Sequence, residues 1–263
     1  MIPFFLFIFG LMVGSFLNAV IYRLNSGEGI ILPRSKCPHC QQQLKFLDLL
    51  PLLSFIFLKG KCRYCQVKIS WQYPLVELFT AIIFVCGYFV YKVPLGIFLA
   101  TFDFGGLLPY LSFLVFSCFL IIIFVYDLKH YLILDRISLP AFAIALFLNL
   151  LNGEAFSNLI IASLLVAGFF LLQFLISKGK WIGGGDIRLG LVIGAMLGWP
   201  RVLMALFLGY LIGSVVGLFL IITKKKQWQS QLPLGTFLAL AALITLLWGN
   251  QIIFWYLNRF ILW

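Results

Sequence analysis

Residues 158–190 read NLIIASLLVAGFFLLQFLISKGKWIGGGDIRLG. No charge interrupts 158–177, and about 20 mostly apolar residues suffice to cross the hydrocarbon of a bilayer. Lys178 and Lys180 end the run. Gly183, Gly184 and Gly185 then lead into Asp186. A bare backbone and a carboxylate therefore sit at the mouth of a membrane span.

The same texture fills the chain. Of 263 residues, 63% are hydrophobic and 10% are charged, and the mean hydropathy is +1.10. A soluble domain of this size cannot bury so much apolar surface. Composition thus makes this an all-α polytopic membrane protein. The candidate spans are 3–22, 73–91, 106–126, 137–151, 158–177, 187–199, 202–222 and 232–249. That is a count of eight, with 187–199 short enough to need extension or tilt. The tail 252–263, IIFWYLNRFILW, either continues the last span or lies at the interface. The first span starts almost at Met1 with no basic n-region, and it reads as a retained helix.

A net charge of +11 invites a nucleic-acid reading, but the distribution argues against one. Segment 23–72 holds eight of the nineteen Lys and Arg, and 127–136, 178–188 and 223–231 hold two, three and three. Threading eight spans places those four segments on one side. Only Lys92, Arg201 and Arg259 lie opposite. Cytoplasmic loops carry such an excess of cations. The expectation is a plasma (inner) membrane protein with both termini outside and the four basic segments in the cytoplasm. Its partner by composition is the lipid bilayer, with no nucleic acid.

Three regions follow: 1–22 as the first transmembrane helix, 23–72 as a cytoplasmic module, and 73–263 as the remaining membrane domain. The module carries Cys37 and Cys40 in CPHC, and Cys62 and Cys65 in CRYC, with twenty-one residues between the two knuckles. Two such knuckles wrap four thiolates around one zinc ion. A reducing cytoplasm favours the metal over disulfides, and about fifty residues need a staple because they build little core. Four thiolates leave no open position for water, so the site reads as structural. His39 reads as a solvated loop residue, and Cys86 and Cys118 as small apolar side chains within spans. The module's lysines, among them Lys59, Lys61 and Lys68, are expected to lie against anionic lipid.

There are eight carboxylates in all. Glu28 and Asp48 belong to the module, and Asp103 and Glu154 to outside loops. Glu77 sits just inside the second span. Asp127, Asp135 and Asp186 fall at cytoplasmic ends of spans, where ionisable groups are costly and mark function. Taken alone, GGGD also suits a plain turn into a helix with an acid near its N-cap. Two carboxylates sharing one proton change that balance. The ionised one takes a proton from water, and the neutral one donates to a carbonyl oxygen. Asp127 and Asp135 would stand about 12 Å apart along one helix, too far to share a proton. Asp186 therefore needs a partner from another helix, and spacing does not choose between Asp127 and Asp135.

Five stretches now resemble the type IV prepilin peptidase family, the membrane aspartic proteases with a Gly-x-Gly-Asp motif. They are GSFLNAVIYRL (14–24), the cysteine module with its return YPLVELFTA (37–81), YDLKHYLILD (126–135), GGGDIRLGLVIGAMLGW (183–199) and PLGTFLALAALI (233–244). The resemblance implies that Asp127 and Asp186 form the catalytic dyad. Gly183 and Gly185 would flank the variable position, and Asp135 would occupy a supporting acidic or amide position. It implies cleavage of the basic leader from type IV prepilins or pseudopilins at the cytoplasmic membrane face. In many members S-adenosylmethionine then methylates the new N-terminal amine; a peptidase-only member is the alternative. Leu134 stands where the family usually has proline. No glycine-rich nucleotide loop locates the methyl donor.

Two readings compete. A carboxylate-based transporter fits glycine-broken spans, but the acids gather at one face and no inverted repeat is evident. A zinc-ribbon adaptor leaves GGGD and Asp127 idle. If the glycines admit a substrate strand, Gly183→Val and Gly185→Val should both impair cleavage, by crowding it or by forbidding a positive φ.

Overall fold

In the computed structural model, residues 1–27, 29, 34–92, 106–224 and 232–260 are described. The expectations for Glu28, Asp103, Lys225 and Lys226 lie outside them. The described chain is helical, apart from isolated bridges between Lys36 and Gln43 and between Lys61 and Lys68 that close the two cysteine knuckles. By backbone contacts it divides into two compact units, Met1–Lys92 and Val93–Trp263.

The first unit contains α1 (Ile2–Ser26), a short 3-10 turn (Phe46–Asp48), α2 (Leu53–Phe57) and α3 (Gln72–Val90). Pro3 starts α1 within its first turn, and Gly27 ends it in the left-handed region at φ 72°; both residues do at those positions what their backbones favour. α1 and α3 lie against each other at backbone distance. A Cβ on Gly10 would fall 2.5 Å from the Ala81 Cα. Apolar side chains gain nothing by leaving lipid, so membrane helices associate through such small-residue contacts.

The second unit contains α4 (Leu107–His130), α5 (Asp135–Leu151), α6 (Phe156–Ser177), α7 (Gly184–Leu197), α8 (Arg201–Ile222) and α9 (Leu234–Phe260). Helices α1, α3, α4, α6, α8 and α9 are long and apolar enough to cross a membrane, six among the described residues. α9 runs on to Phe260, so the apolar tail continues the last span as far as it is described. α5 and α7 have 17 and 14 residues. α7 spans only about 21 Å at 1.5 Å per residue, against roughly 30 Å of hydrocarbon.

This short helix is walled by α5, α6, α8 and α9, and Leu189, Val192, Ile193, Ala195, Met196 and Leu197 are buried. Gly194 lets α6 approach so closely that a Cβ there would fall 2.3 Å from the Ser163 Cα. A helix ending inside a bundle must have its end groups satisfied by protein. The Asn149 side chain donates to the carbonyls of Ala195 (2.6 Å) and Met196 (3.1 Å). Asn158 accepts from the Trp199 N–H at 2.8 Å.

Candidate active site and thiolate centre

In the second unit the C-terminal end of α4 and the N-terminal ends of α7 and α9 meet. Asp127 lies in the last turn of α4 and is 4% exposed; Asp186 lies in the first turn of α7 and is 9% exposed. Asp186 is within electrostatic reach of Asp127. Each uses its Oδ2 for support. The Thr236 N–H donates to Asp127 Oδ2 at 2.6 Å and the Thr236 hydroxyl at 3.0 Å. The Gly183 N–H donates to Asp186 Oδ2 at 3.0 Å. That second contact is an N-terminal capping arrangement, so the plain-turn geometry is realised alongside the burial. Neither Oδ1 takes a hydrogen bond among the described residues.

Asp135 stands apart. It opens α5, is exposed, and forms an ion pair with Arg188. Of the two acids that spacing left open, Asp127 is the buried one, within electrostatic reach of Asp186, and Asp135 is the exposed one, paired with Arg188.

Ile133 holds the junction. Residues 132–134 leave α4 as irregular chain after Tyr131, which is left-handed at φ 55°. A Cβ on Gly185 would come within 3.0 Å of the Ile133 Cβ. A Cβ on Gly235 would fall 2.9 Å from both Ile133 Cδ1 and Asp127 Oδ2. Glycine at 185 and 235 is therefore a packing requirement of the acid-bearing helix ends. Gly183 differs from expectation. Its φ of −88° and ψ of 160° are open to any residue, and its Cβ would meet only Asp186 Oδ2 at 3.8 Å and the Gly185 nitrogen at 3.9 Å. The run needs no positive φ because Gly184 and Gly185 already lie in the first turn of α7.

Sequence alone does not mark Thr236 or Gly235 as site residues. A signal existed in Pro233-Leu234-Gly235-Thr236, a helix-start pattern before the last apolar run. Replacing Thr236 tests its role as a positioning residue. Thr236→Val keeps the N–H but loses the hydroxyl donor to a carboxylate, and turnover should fall about tenfold. Thr236→Ser, measured by initial rates on the same peptide substrate, should restore most of it.

In the first unit the sulfurs of Cys37, Cys40, Cys62 and Cys65 lie within 4.8 Å of one another. The Cys37–Cys65 pair is 3.9 Å apart, far beyond the ~2.05 Å of a disulfide. Four sulfurs about 2.3 Å from a zinc ion form a tetrahedron with edges of about 3.8 Å, so the set fits. Burial works against the Cys37 thiolate, yet the Cys40 and His39 N–H groups and neighbouring thiols outweigh it and bring it down to about 7. Cys65 goes the other way. The Val67 N–H favours its thiolate, but burial and the three other sulfurs push it up to about 11. Four thiolates this close need a cation to coexist. His39 is exposed and outside the cluster. Cys86 and Cys118 are half-buried, less enclosed than expected for span interiors.

Other acids are spent on structure. Asp48 pairs with Arg63 at 2.6 Å, and Glu154, expected to be solvated, pairs with Arg201 at 2.8 Å.

Residues 8–91 match the bacterial peptidase A24 N-terminal domain, and residues 114–218 match the type IV leader peptidase family. No solved structure matches the protein. Among similar proteins, the prepilin leader peptidase/N-methyltransferase of Aeromonas hydrophila is 35% identical over 286 residues, covering 97% of this chain and 93% of its own. The protein of the same name from Bacillus subtilis (strain 168) is 36% identical over 258 residues, covering 96% and 97%. That from Legionella pneumophila is 30% identical over 290 residues, covering 97% and 96%. Likeness at that level, sustained almost from end to end, makes this chain a member of the type IV leader peptidase family.

Proposed function

We propose that the protein cleaves the leader from type IV prepilins or pseudopilins with Asp127 and Asp186 as an aspartic dyad. The carrying observation is the pair of buried acids at one end of the second unit, each held by one oxygen, with the other unengaged among the described residues. The ionised acid takes the proton from water as the hydroxyl attacks the scissile carbonyl, and the neutral acid donates to the carbonyl oxygen. Collapse of the tetrahedral intermediate returns a proton to the leaving amine.

The membrane face follows from charge. Lys129, Arg136, Lys178, Lys180 and Arg188 surround the acid-bearing helix ends in sequence, whereas Arg201 begins α8 at the far end of α7. Cations favour the cytoplasmic side, so the site faces the cytoplasm. We further place α5 and α7 within the bilayer as shorter members of an eight-helix arrangement, because long apolar helices enclose α7.

The relatives' names couple peptidase to N-methyltransferase. The same coupling is proposed here, with S-adenosylmethionine supplying the methyl group to the new N-terminal amine. The notch beside Asp127 is lined by Ile122, Ile123, Tyr126, Leu132, Ile133, Leu134 and Ile137. It lacks the acid and amide groups that suit a nucleoside, so no residue is assigned to the donor. Incubating the purified chain with a prepilin, with and without S-adenosylmethionine, and weighing the new N-terminus tests both activities. An uncut prepilin sinks the peptidase reading. A cut but unmethylated one leaves a peptidase only.

Zinc is proposed as the structural metal of the four cysteines. Metal analysis of reduced protein should find one zinc per chain. Cys62→Ser should release it and unfold the module, whereas brief chelation should leave hydrolysis running, because the dyad needs no metal.

A further inference from the structure

Glu77 is a buried carboxylate that the proposed chemistry does not use. It lies six residues after Trp71, about 9 Å down α3 at 1.5 Å per residue. Its Oε2 accepts the Leu52 N–H at 2.9 Å. Leu52 is the residue that opens α2. A glutamate side chain leans toward its helix N-terminus, so the bond to Leu52 sets the start of α2 beside the first turns of α3. Phe55 in α2 touches the Trp71 ring, with centroids 5.0 Å apart. The short helix is thus pinned alongside the first turns of a membrane span.

Its outward side chains are apolar. Ile56 is 66% exposed and Phe57 78% exposed, and Phe46, in the preceding 3-10 turn, is 78% exposed. Leu47 and Leu53 are exposed as well. On α3 at that depth Leu75 and Leu78 also face outward. Lys45 and Lys59 flank the apolar residues and are exposed. Water does not suit such a surface. An interface with apolar side chains below, cations above and a tryptophan at the boundary does.

We propose that α2 and the 3-10 turn form a wedge seated in the lipid interface, with Glu77 as its anchor. Leu53, Ile56 and Phe57 enter the acyl region, and Lys45 and Lys59 reach anionic headgroups. The thiolate module is therefore embedded at its base. Each cation at an anionic surface favours the seated form about fivefold, and each buried apolar side chain favours it by about tenfold or more.

The test uses the full chain in vesicles of phosphatidylethanolamine and phosphatidylglycerol. Benzoylphenylalanine replaces Phe57 in one preparation and the exposed Gln42 of the first knuckle in another, and adducts are identified by mass spectrometry after irradiation. Position 57 should give about tenfold more lipid adduct than position 42, the factor one such buried side chain supplies. Combining the Phe57 probe with Glu77→Ala should lose most of that adduct, and Glu77→Gln, which keeps an acceptor, should retain it. Equal lipid adducts at the two positions overturn the wedge. Adducts from position 57 mainly to another segment, a second copy or a prepilin overturn it too. If lipid adduct persists in full with Glu77→Ala, the anchor is wrong.

Discussion

Asp127→Asn and Asp186→Asn should each cut prepilin cleavage by about a thousandfold, within the range that a positioned acid or base supplies. Asparagine keeps the side-chain shape. At 127 it still accepts from Thr236, and at 186 from Gly183, so insertion and folding should survive. What is lost is the transferable proton. Asp135→Asn breaks only an exposed ion pair with Arg188, and such pairs contribute about 0–1 kcal/mol. It should therefore keep most activity. Single-turnover cleavage by purified variants, checked for equal membrane extraction, decides the matter. Near wild-type rates from either the 127 or the 186 variant would remove that residue from the dyad.

Gly235→Val should be nearly as damaging without touching an ionisable group. Its Cβ would land 2.9 Å from Asp127 Oδ2 and 2.9 Å from Ile133 Cδ1. Either the carboxylate leaves Thr236 or the start of α9 moves away. A shift of about 1 Å at a reacting group can cost about a hundredfold in rate, so kcat should fall by that order. Overpacking itself costs about 1–3 kcal/mol, which leaves the bundle folded. Gly168→Val serves as the comparison, because a Cβ there meets nothing within 4 Å. Equal activity of the two variants would show that the α9 start does not position Asp127. Gly185→Val should also impair cleavage, through its 3.0 Å approach to Ile133. Gly183→Val should do less harm than the sequence suggested, since its backbone is ordinary and its surroundings are open.

The sequence was legible where information is local. The long apolar runs predicted α1, α3, α4, α6, α8 and α9, because crossing hydrocarbon demands length and apolarity together. The two cysteine knuckles predicted their own clustering, since ligand spacing within each is fixed by the turn. α7 was harder. The sequence counts it as a span in need of extension or tilt, but its neighbours cover it and it stays short. The partner of Asp186 was open because no residue spacing reports which helix ends meet. Thr236 lies 109 positions from Asp127, and nothing in PLGT by itself announces a carboxylate. Family resemblance supplied Asp127, and only the fold reveals that its side chain is buried. Glu77 was noticed only as a charge inside a span; its bond to Leu52 needed the return of the module onto α3.

The bond between Thr236 and Asp127 also sets a clock on biogenesis. A ribosome adding about 5–20 residues per second needs about 5–20 s to travel from Asp127 to Thr236. During that interval α4 to α8 can enter the bilayer while Asp127 has no donor from α9. On the proposed dyad, the last helix is the arming step. A chain ended before Leu234 would leave Asp127 without either Thr236 donor.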